Sequence, residues 1–369
     1  MDITKKIISA ASVALICGMA SCAAPQSPDM VIDDAPASDT VSQDTAADMT
    51  ETASVQEIPS VSDAVKLAEG IYSLDHTGDY KLDEYLLADI RTAGEMDRWF
   101  MENLTGGIST EGSEYDMACS SFAVTLPEGE HIFGRNYDLR PTDAMFICTT
   151  PENGYSSIGI VDLAHLNIGT DAEVPIDSDK GRSLLCAAPY CICDGINEKG
   201  LGVSLLQLDT AHTVSDTDKH DLLLYITLRA LLDKCASVDE AVEFLSEYDI
   251  YSPGSRSYHV FLTDRSGKAV TAEWLDDGLT VVEDDAVTNF VLFEAPPTRI
   301  DGRYVRMRKA LDDGMILSKD DAMSLLADVM QKGGTRWSAV YDLDSFTVEA
   351  CFNGNYENRY TFVGYPDKE

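Results

Sequence analysis

Cys119-Ser120-Ser121-Phe122-Ala123-Val124-Thr125-Leu126-Pro127-Glu128-Gly129-Glu130-His131-Ile132-Phe133-Gly134-Arg135-Asn136-Tyr137-Asp138 reads as two strands around a turn. Residues 120–126 and 131–136 are apolar and β-branched enough to pair, and Pro127 to Glu130 supplies the turn. The hairpin returns Arg135, Asn136 and Asp138 to the side of Cys119. An Arg beside a thiol favours thiolate, and an Asp beside it can hold an ammonium group. One Cys at the start of a strand is ordinarily a core residue; its spacing to this polar cluster is what sets Cys119 apart.

Working outward, more strands are expected at 184–193, 202–208, 258–264, 269–274, 279–283, 289–293, 338–341 and 346–352. Helices are expected at 221–234, 238–248, 303–311 and 319–331. Hairpins in runs with helices in pairs argue for antiparallel sheets covered by helices, not a doubly wound parallel sheet. Before Cys119, residues 60–72 and 79–104 look helical, the second with Leu82, Leu86, Ile90, Ala93, Phe100 and Leu104 at three- and four-residue steps. Asp79 could cap it and Gly106-Gly107 would end it. Asp75 to Asp79 looks superficially like a calcium loop, but its sixth position is Tyr80 and its twelfth Leu86, so the turn glycine and the bidentate Glu are both missing.

The chain opens as an export address. Lys5 and Lys6 precede an apolar run of about 14 residues, short of the roughly 20 that span a bilayer. Met19-Ala20-Ser21-Cys22 resembles a bacterial lipobox, which makes residues 1–22 a lipoprotein signal peptide and Cys22 the lipidated residue of an envelope protein. Residues 23–60 hold eight acids and neither Lys nor Arg, and show no periodicity. Such a stretch buries too little apolar surface to offset its ordering entropy, so it reads as a disordered acidic tether.

Sixty-four acidic residues against 27 basic give a net charge of −37, which opposes binding to nucleic acid phosphates. Nine cysteines and six histidines make no metal-ligand spacing. Without Cys17 and Cys22 an odd seven remain, so at least one thiol is unpaired or reactive. Cys148, Cys186, Cys235 and Cys351 read as core thiols, and Cys191-Ile192-Cys193 as core or a strained disulfide. Neither a Gly-rich phosphate loop nor a nucleophile elbow is present. No cofactor and no metal are implied.

Cys119-Ser120-Ser121, Gly134 to Asp138 and Asn197-Glu198-Lys199-Gly200-Leu201 resemble successive motifs of the linear-amide C–N hydrolases. That N-terminal-nucleophile group includes choloylglycine hydrolases, penicillin V acylases and acid ceramidase-like enzymes. Thr288-Asn289-Phe290, Arg303-Tyr304-Val305-Arg306 and Trp337 to Leu343 continue the likeness in order. The resemblance implies an α+β fold, a four-layer αββα sandwich over residues 119–369. It also implies a small-molecule N-acyl amide substrate and an autocatalytic cut between Ala118 and Cys119. Residues 61–118 would then be a helical pro-segment or retained light chain, longer than the leader usual in choloylglycine hydrolases.

Carried over by position, Cys119 is the nucleophile, Arg135 keeps thiolate available and Asp138 orients the new α-amine. Asn289 donates to the oxyanion and Arg303 completes the polar shell. Gln207 is a substrate-side position where bile-salt hydrolases usually carry Asn and penicillin V acylases Tyr. Two rival readings stand beside this one. A papain-like protease would pair Cys119 with a histidine such as His259. A non-catalytic envelope lipoprotein would bind or scaffold, with no use for the Cys119 series. The acyl and amine halves of the substrate and the state of homo-oligomerisation are left open.

Overall fold

The computed structural model of the chain describes residues 61–365, apart from 111–116, 170, 171, 173, 209–215, 253, 255, 276, 277 and 294–300. The expected signal, the tether and Cys22 lie outside the described residues.

Ahead of Cys119 come β1 (Val65–Ala68), β2 (Ile71–His76), α1 (Leu82–Leu86) and α2 (Ala93–Asn103). Next are β3 (Ala118–Thr125), β4 (His131–Asp138), β5 (Ala144–Thr149), β6 (Ser157–Asp162), α3 (Asp179–Leu185), β7 (Ile192–Asn197) and β8 (Gly202–Leu208). Then follow β9 (His220–Leu223), α4 (Leu224–Lys234), α5 (Val238–Ser246), β10 (Tyr248–Tyr251), β11 (Ser257–Thr263), β12 (Ala269–Leu275) and β13 (Gly278–Glu283). The last part holds β14 (Ala286–Val287), α6 (Gly302–Asp312), α7 (Lys319–Val329), β15 (Thr335–Asp342), β16 (Thr347–Phe352) and β17 (Tyr360–Val363).

Two sheets face each other. One has the order β1-β2-β5-β6-β7-β8-β11-β12-β13 and the other β14-β3-β4-β15-β16-β17. Between them the Ser121 and Ser204 hydroxyls meet at 2.9 Å, and the Phe133 ring lies 6.0 Å from that of Phe261. Helix α4 covers β7 and β8 and α5 covers β11 to β13, while α6 and α7 cover β3, β4, β14 and β15. The result is the expected αββα sandwich. Because strands such as β4, β8 and β15 have a sheet on one side and helices on the other, they are buried along their length, β4 from Ile132 on, and show no polar alternation.

Gly134 shows how tightly the helix-side layer is packed. The Phe122 ring on the neighbouring strand lies where a side chain would be, and a Cβ there would come within 2.4 Å of it. Phe122 fills a second apolar cluster with Met307, Met323, Leu326 and Val329 from α6 and α7. Gly134 therefore fixes how closely β4 lies against β3, and with it the position of Arg135.

Several expectations are corrected. The helix expected over 60–72 does not form in its described part, 61–72: Ala64, Leu67, Ala68 and Ile71 mimic its spacing, but Gly70 at φ +70° makes a turn between β1 and β2. β2 then pairs in parallel with β5 from Ile71 opposite Ala144 to His76 opposite Thr149, and that pairing overrides the local pattern. Residues 79–104 hold two helices, broken where Asp89 takes φ +50° and Thr92 forms a capping box with Glu95. Asp79 does not cap α1; Lys81 is the N-cap residue and donates its backbone N–H to Asp79 at 2.7 Å. Gly106 and Gly107, both at positive φ, follow the end of α2 as expected.

Residues 184–193 begin as the end of α3, started by the Ser178 hydroxyl accepting from Gly181 N–H. They turn through Pro189 and become strand only at Ile192. Residues 289–293 are irregular, with the short β14 lying just before them. Strands β5, β6, β9, β10, β14 and β17 escaped notice in the sequence, and the helix expected from 221 begins only at Leu224, after β9.

The segment before Cys119 is thus not a helical appendage. It supplies two strands of the nine-stranded sheet, and the rings of Tyr85, Trp99 and Phe100 pack on Tyr190. Tyr80 donates its hydroxyl to buried Asp233 at 2.5 Å, and Asp233 also pairs with Arg229.

Candidate functional site

β3 and β4 pair with Ala118 opposite Asp138, Cys119 opposite Tyr137 and Ser121 opposite Arg135. Cys119 is fully buried at the start of β3. Arg135 reaches along the hairpin and donates to its sulfur through Nη2 at 3.1 Å, and to the Leu205 carbonyl on the facing sheet at 2.7 Å. The Arg135 charge is balanced by Asp194 on β7, 3.3 Å from Nε, with neither side chain exposed. Asp194 also accepts from the Trp337 indole at 3.0 Å and from the Tyr341 hydroxyl. Trp337 in turn stacks on Tyr137, their centroids 4.0 Å apart. A buried ion pair needs such further donors to offset its desolvation.

Burial pushes the Cys119 thiol above its usual range, and the Arg135 guanidinium only partly opposes that. In the intact chain Cys119 is therefore a neutral thiol held next to a cation.

Its backbone nitrogen is held as well. Cys119 N–H donates to Asn289 Oδ1 at 2.6 Å, and Arg303 Nη2 donates to the same oxygen at 3.0 Å. Asn289 Nδ2 donates to the Gln207 carbonyl at 2.8 Å. Two donors on one side and an acceptor on the other fix which way this amide faces. The second hydrogen of Nδ2 is the one that could meet an oxyanion.

Arg303 also donates through Nη1 to Asp138 Oδ2 at 3.0 Å, so one guanidinium joins the residue beside Cys119 to the amide that holds its nitrogen. Asp301, the N-cap of α6, accepts from Arg303 Nε at 2.9 Å and from its backbone N–H at 2.8 Å. The Asp138 carboxyl is pushed up by burial, against the pull of Thr335 and Arg303.

The six positions singled out in the sequence, Cys119, Arg135, Asp138, Gln207, Asn289 and Arg303, thus form one bonded network although they span nearly 200 residues. Gln207 enters it twice, through its carbonyl and through a side-chain oxygen that accepts Met117 N–H at 2.8 Å and Arg256 Nη1 at 3.3 Å. The sequence reading missed Asp194, Asp301, Thr335 and Arg256. Asp301 could have been found as a helix-capping residue two places before Arg303. Asp194 carries no local signal, because its partners come from strands far along the chain.

His259 is fully buried, with both ring nitrogens committed elsewhere: Nδ1 to Glu273 at 3.0 Å and Nε2 to the Thr288 carbonyl at 2.8 Å. The thiol's partner is Arg135, so the Cys119–His259 pair of a protease does not form. No disulfide joins any of the seven cysteines from Cys119 onward, Cys191 and Cys193 included.

The arrangement supplies a thiol, a nitrogen on the same residue and an amide donor at the mouth of one hairpin, which is the equipment for acyl transfer. A model of the linear amide C-N hydrolases, choloylglycine hydrolase family, matches residues 119–296. The bile salt hydrolase/transferase of Clostridium perfringens (strain 13 / Type A) is 25% identical over 202 residues, 52% of this chain and 58% of that protein. The chain therefore spans little more than half the length of that relative. A mutant conjugated bile acid hydrolase from Clostridium perfringens has a TM-score of 0.49 at 19% identity, covering 66% of this chain and 92% of that one. For penicillin V acylase from Agrobacterium tumefaciens the TM-score is 0.47 at 15% identity, covering 66% and 86%. The stretch that matches this family thus begins at the buried thiol and takes in Arg135, Asp138, Gln207 and Asn289.

Proposed function

We propose that this protein is a cysteine amidase of the N-terminal-nucleophile type, hydrolysing a linear, non-peptide amide bond of an N-acyl substrate. The observation that carries this reading is the double hold on Cys119, its sulfur by Arg135 and its nitrogen by Asn289.

The first reaction is on the chain itself. The Cys119 thiol attacks the Ala118 carbonyl, the C–N bond breaks with the proton passing to the Cys119 nitrogen, and a thioester replaces the peptide bond. Water then releases the Ala118 carboxylate and regenerates the thiol. The nitrogen left behind is an α-amine with an ordinary pKa of about 7.7–8.0, suited to moving a proton at neutral pH.

In turnover that amine takes the thiol proton as sulfur attacks the substrate carbonyl. Asn289 Nδ2 and the backbone N–H of Gln207 would meet the oxyanion, a donor of this kind being worth about 3–4 kcal/mol of barrier. The ammonium returns its proton to the leaving amine, and water cleaves the acyl-thioester. Arg303, with Asp138 and Asn289 on two of its nitrogens, keeps the amine and the donor in register.

Conjugated bile salts, N-acyl amino acids and N-acyl amines are the candidate substrates. The signal and tether reading places the enzyme on the bacterial envelope through a lipid on Cys22. Assaying purified protein against conjugated bile salts, penicillin V, N-acyl ethanolamines and N-acyl amino acids tests the proposal. Release of free acid and amine, abolished by Cys119→Ala, is the expected result. Active-site-independent release, or none from any of these classes, overturns it.

A further inference from the structure

His259 on β11 and Glu273 on β12 flank the paired residues Val260 and Ala272, and both are fully buried. Nothing in the chemistry above uses them, yet besides the bond to each other their side chains hold one stretch of chain. His259 Nε2 donates to the Thr288 carbonyl at 2.8 Å. Glu273 Oε1 accepts from Leu292 N–H at 2.9 Å and from His259 Nδ1 at 3.0 Å, and its Oε2 accepts from Phe293 N–H at 3.1 Å. The stretch between these anchor points is irregular backbone, and Asn289 is on it.

Loop backbone without sheet or helix bonds holds its place only if something else satisfies it. Here the chain leaves β14 at the edge of the six-stranded sheet and is pinned at both ends to the facing sheet. The carboxylate and imidazole satisfy three backbone groups flanking Asn289. Both ring nitrogens face acceptors, the Glu273 carboxylate on one side and the Thr288 carbonyl on the other. A charge-assisted pair of this kind is rigid, and truncating one partner strands the other in a buried site.

We propose that His259 and Glu273 are positioning residues that set the place of Asn289, and through it both the nucleophile's nitrogen and the oxyanion donor. The inference rests on the amidase reading and adds to it the pair that keeps the donor preorganised. A misplacement of about 1 Å in such a donor can cost about 100-fold in rate. A donor that acts on the oxyanion serves the transition state, so the loss falls on kcat and not on KM.

The test is to compare wild type with His259→Leu, His259→Gln and Glu273→Gln by amide hydrogen exchange of residues 288–293 and by kcat and KM on the best amide. Exchange in that stretch should speed up by about tenfold or more in His259→Leu and Glu273→Gln. Their kcat should fall by about 10- to 100-fold with KM within about twofold, and His259→Gln, which can still donate to Thr288, should recover part of the loss. Exchange unchanged in these variants overturns the clamp. Faster exchange with wild-type kcat, or a loss confined to KM, overturns the positioning role. A wild type inert toward every amide defeats the amidase reading, and the exchange result then still decides whether the pair anchors Asn289.

Discussion

Cys119 N–H and Asn289 Oδ1 are 2.6 Å apart although 170 residues separate them in the chain. The contact joins the first residue of the family match to an irregular turn after a two-residue strand, and Arg303 fastens that same oxygen to Asp138. The Cys119 nitrogen is thus held by a side chain from outside its own hairpin.

Removing that hold should slow catalysis more than binding. Asn289→Ala is expected to lower kcat by about 10²- to 10³-fold, the usual loss of one oxyanion donor. Arg303→Lys keeps the charge but cannot fork between Asp138 and Asn289, and should cost on the order of 10²-fold. Steady-state kinetics on the preferred amide check both; a change in KM alone would mean these residues bind substrate.

The segment before the cut should stay with the enzyme. It contributes β1 and β2 to the larger sheet and buries Tyr80, Tyr85 and Phe100 in the common core. Residues 61–118 contain no cysteine, and on the lipoprotein reading the Cys22 thiol is taken up by its lipid, so no disulfide links the two products. Gel filtration of cleaved protein should give one peak containing both chains, separable under non-reducing denaturing conditions. Loss of the smaller chain in native buffer with activity intact would contradict this.

Acid should loosen the site through Asp301. Burial pushes its carboxyl up, but the bonds from the Arg303 side chain and backbone outweigh that, and the pKa is lowered from 3.8. A depressed folded-state pKa gives stability that is present above the unfolded value and lost as pH falls through the folded one. Buried Asp138 and Asp194 shift upward and contribute with the opposite sign. Thermal midpoints followed below about pH 4 should therefore fall less steeply in Asp301→Asn than in wild type. Parallel curves would remove Asp301 from the acid response.

Gly134→Ala tests the packing under Arg135. Its new methyl would stand 2.4 Å from the Phe122 ring, which is locked among Met307, Met323 and Leu326. Overpacking of this kind should cost about 1–3 kcal/mol in denaturant melts. Phe122→Leu in the same chain should restore part of it, and an Ala variant as stable as wild type would show that β4 has slack.

Much of this was legible in the sequence where the signal is local. The hairpin of β3 and β4, the exact span of β8 and the paired helices α6 and α7 follow from turn residues and periodicity. β1 and β2 were misread because the apolar spacing of 64–71 suits a helix until β5, far along the chain, offers a parallel partner. The six network residues were legible through their motifs, not their geometry. Asp194 was silent because its partners stand on strands distant in sequence, and the His259–Glu273 pair because what makes it matter is the irregular stretch 288–293 that it holds.

The central claim is that the thiol and the amine that activates it belong to one residue, freed by a cut the chain makes itself. Intact-mass and N-terminal analysis of catalytically active protein measures this directly. The account predicts a heavy chain beginning at Cys119 and a light chain ending at Ala118, with Cys119→Ala remaining uncut and inactive. Full activity from a chain in which Ala118 is still joined to Cys119 would contradict it.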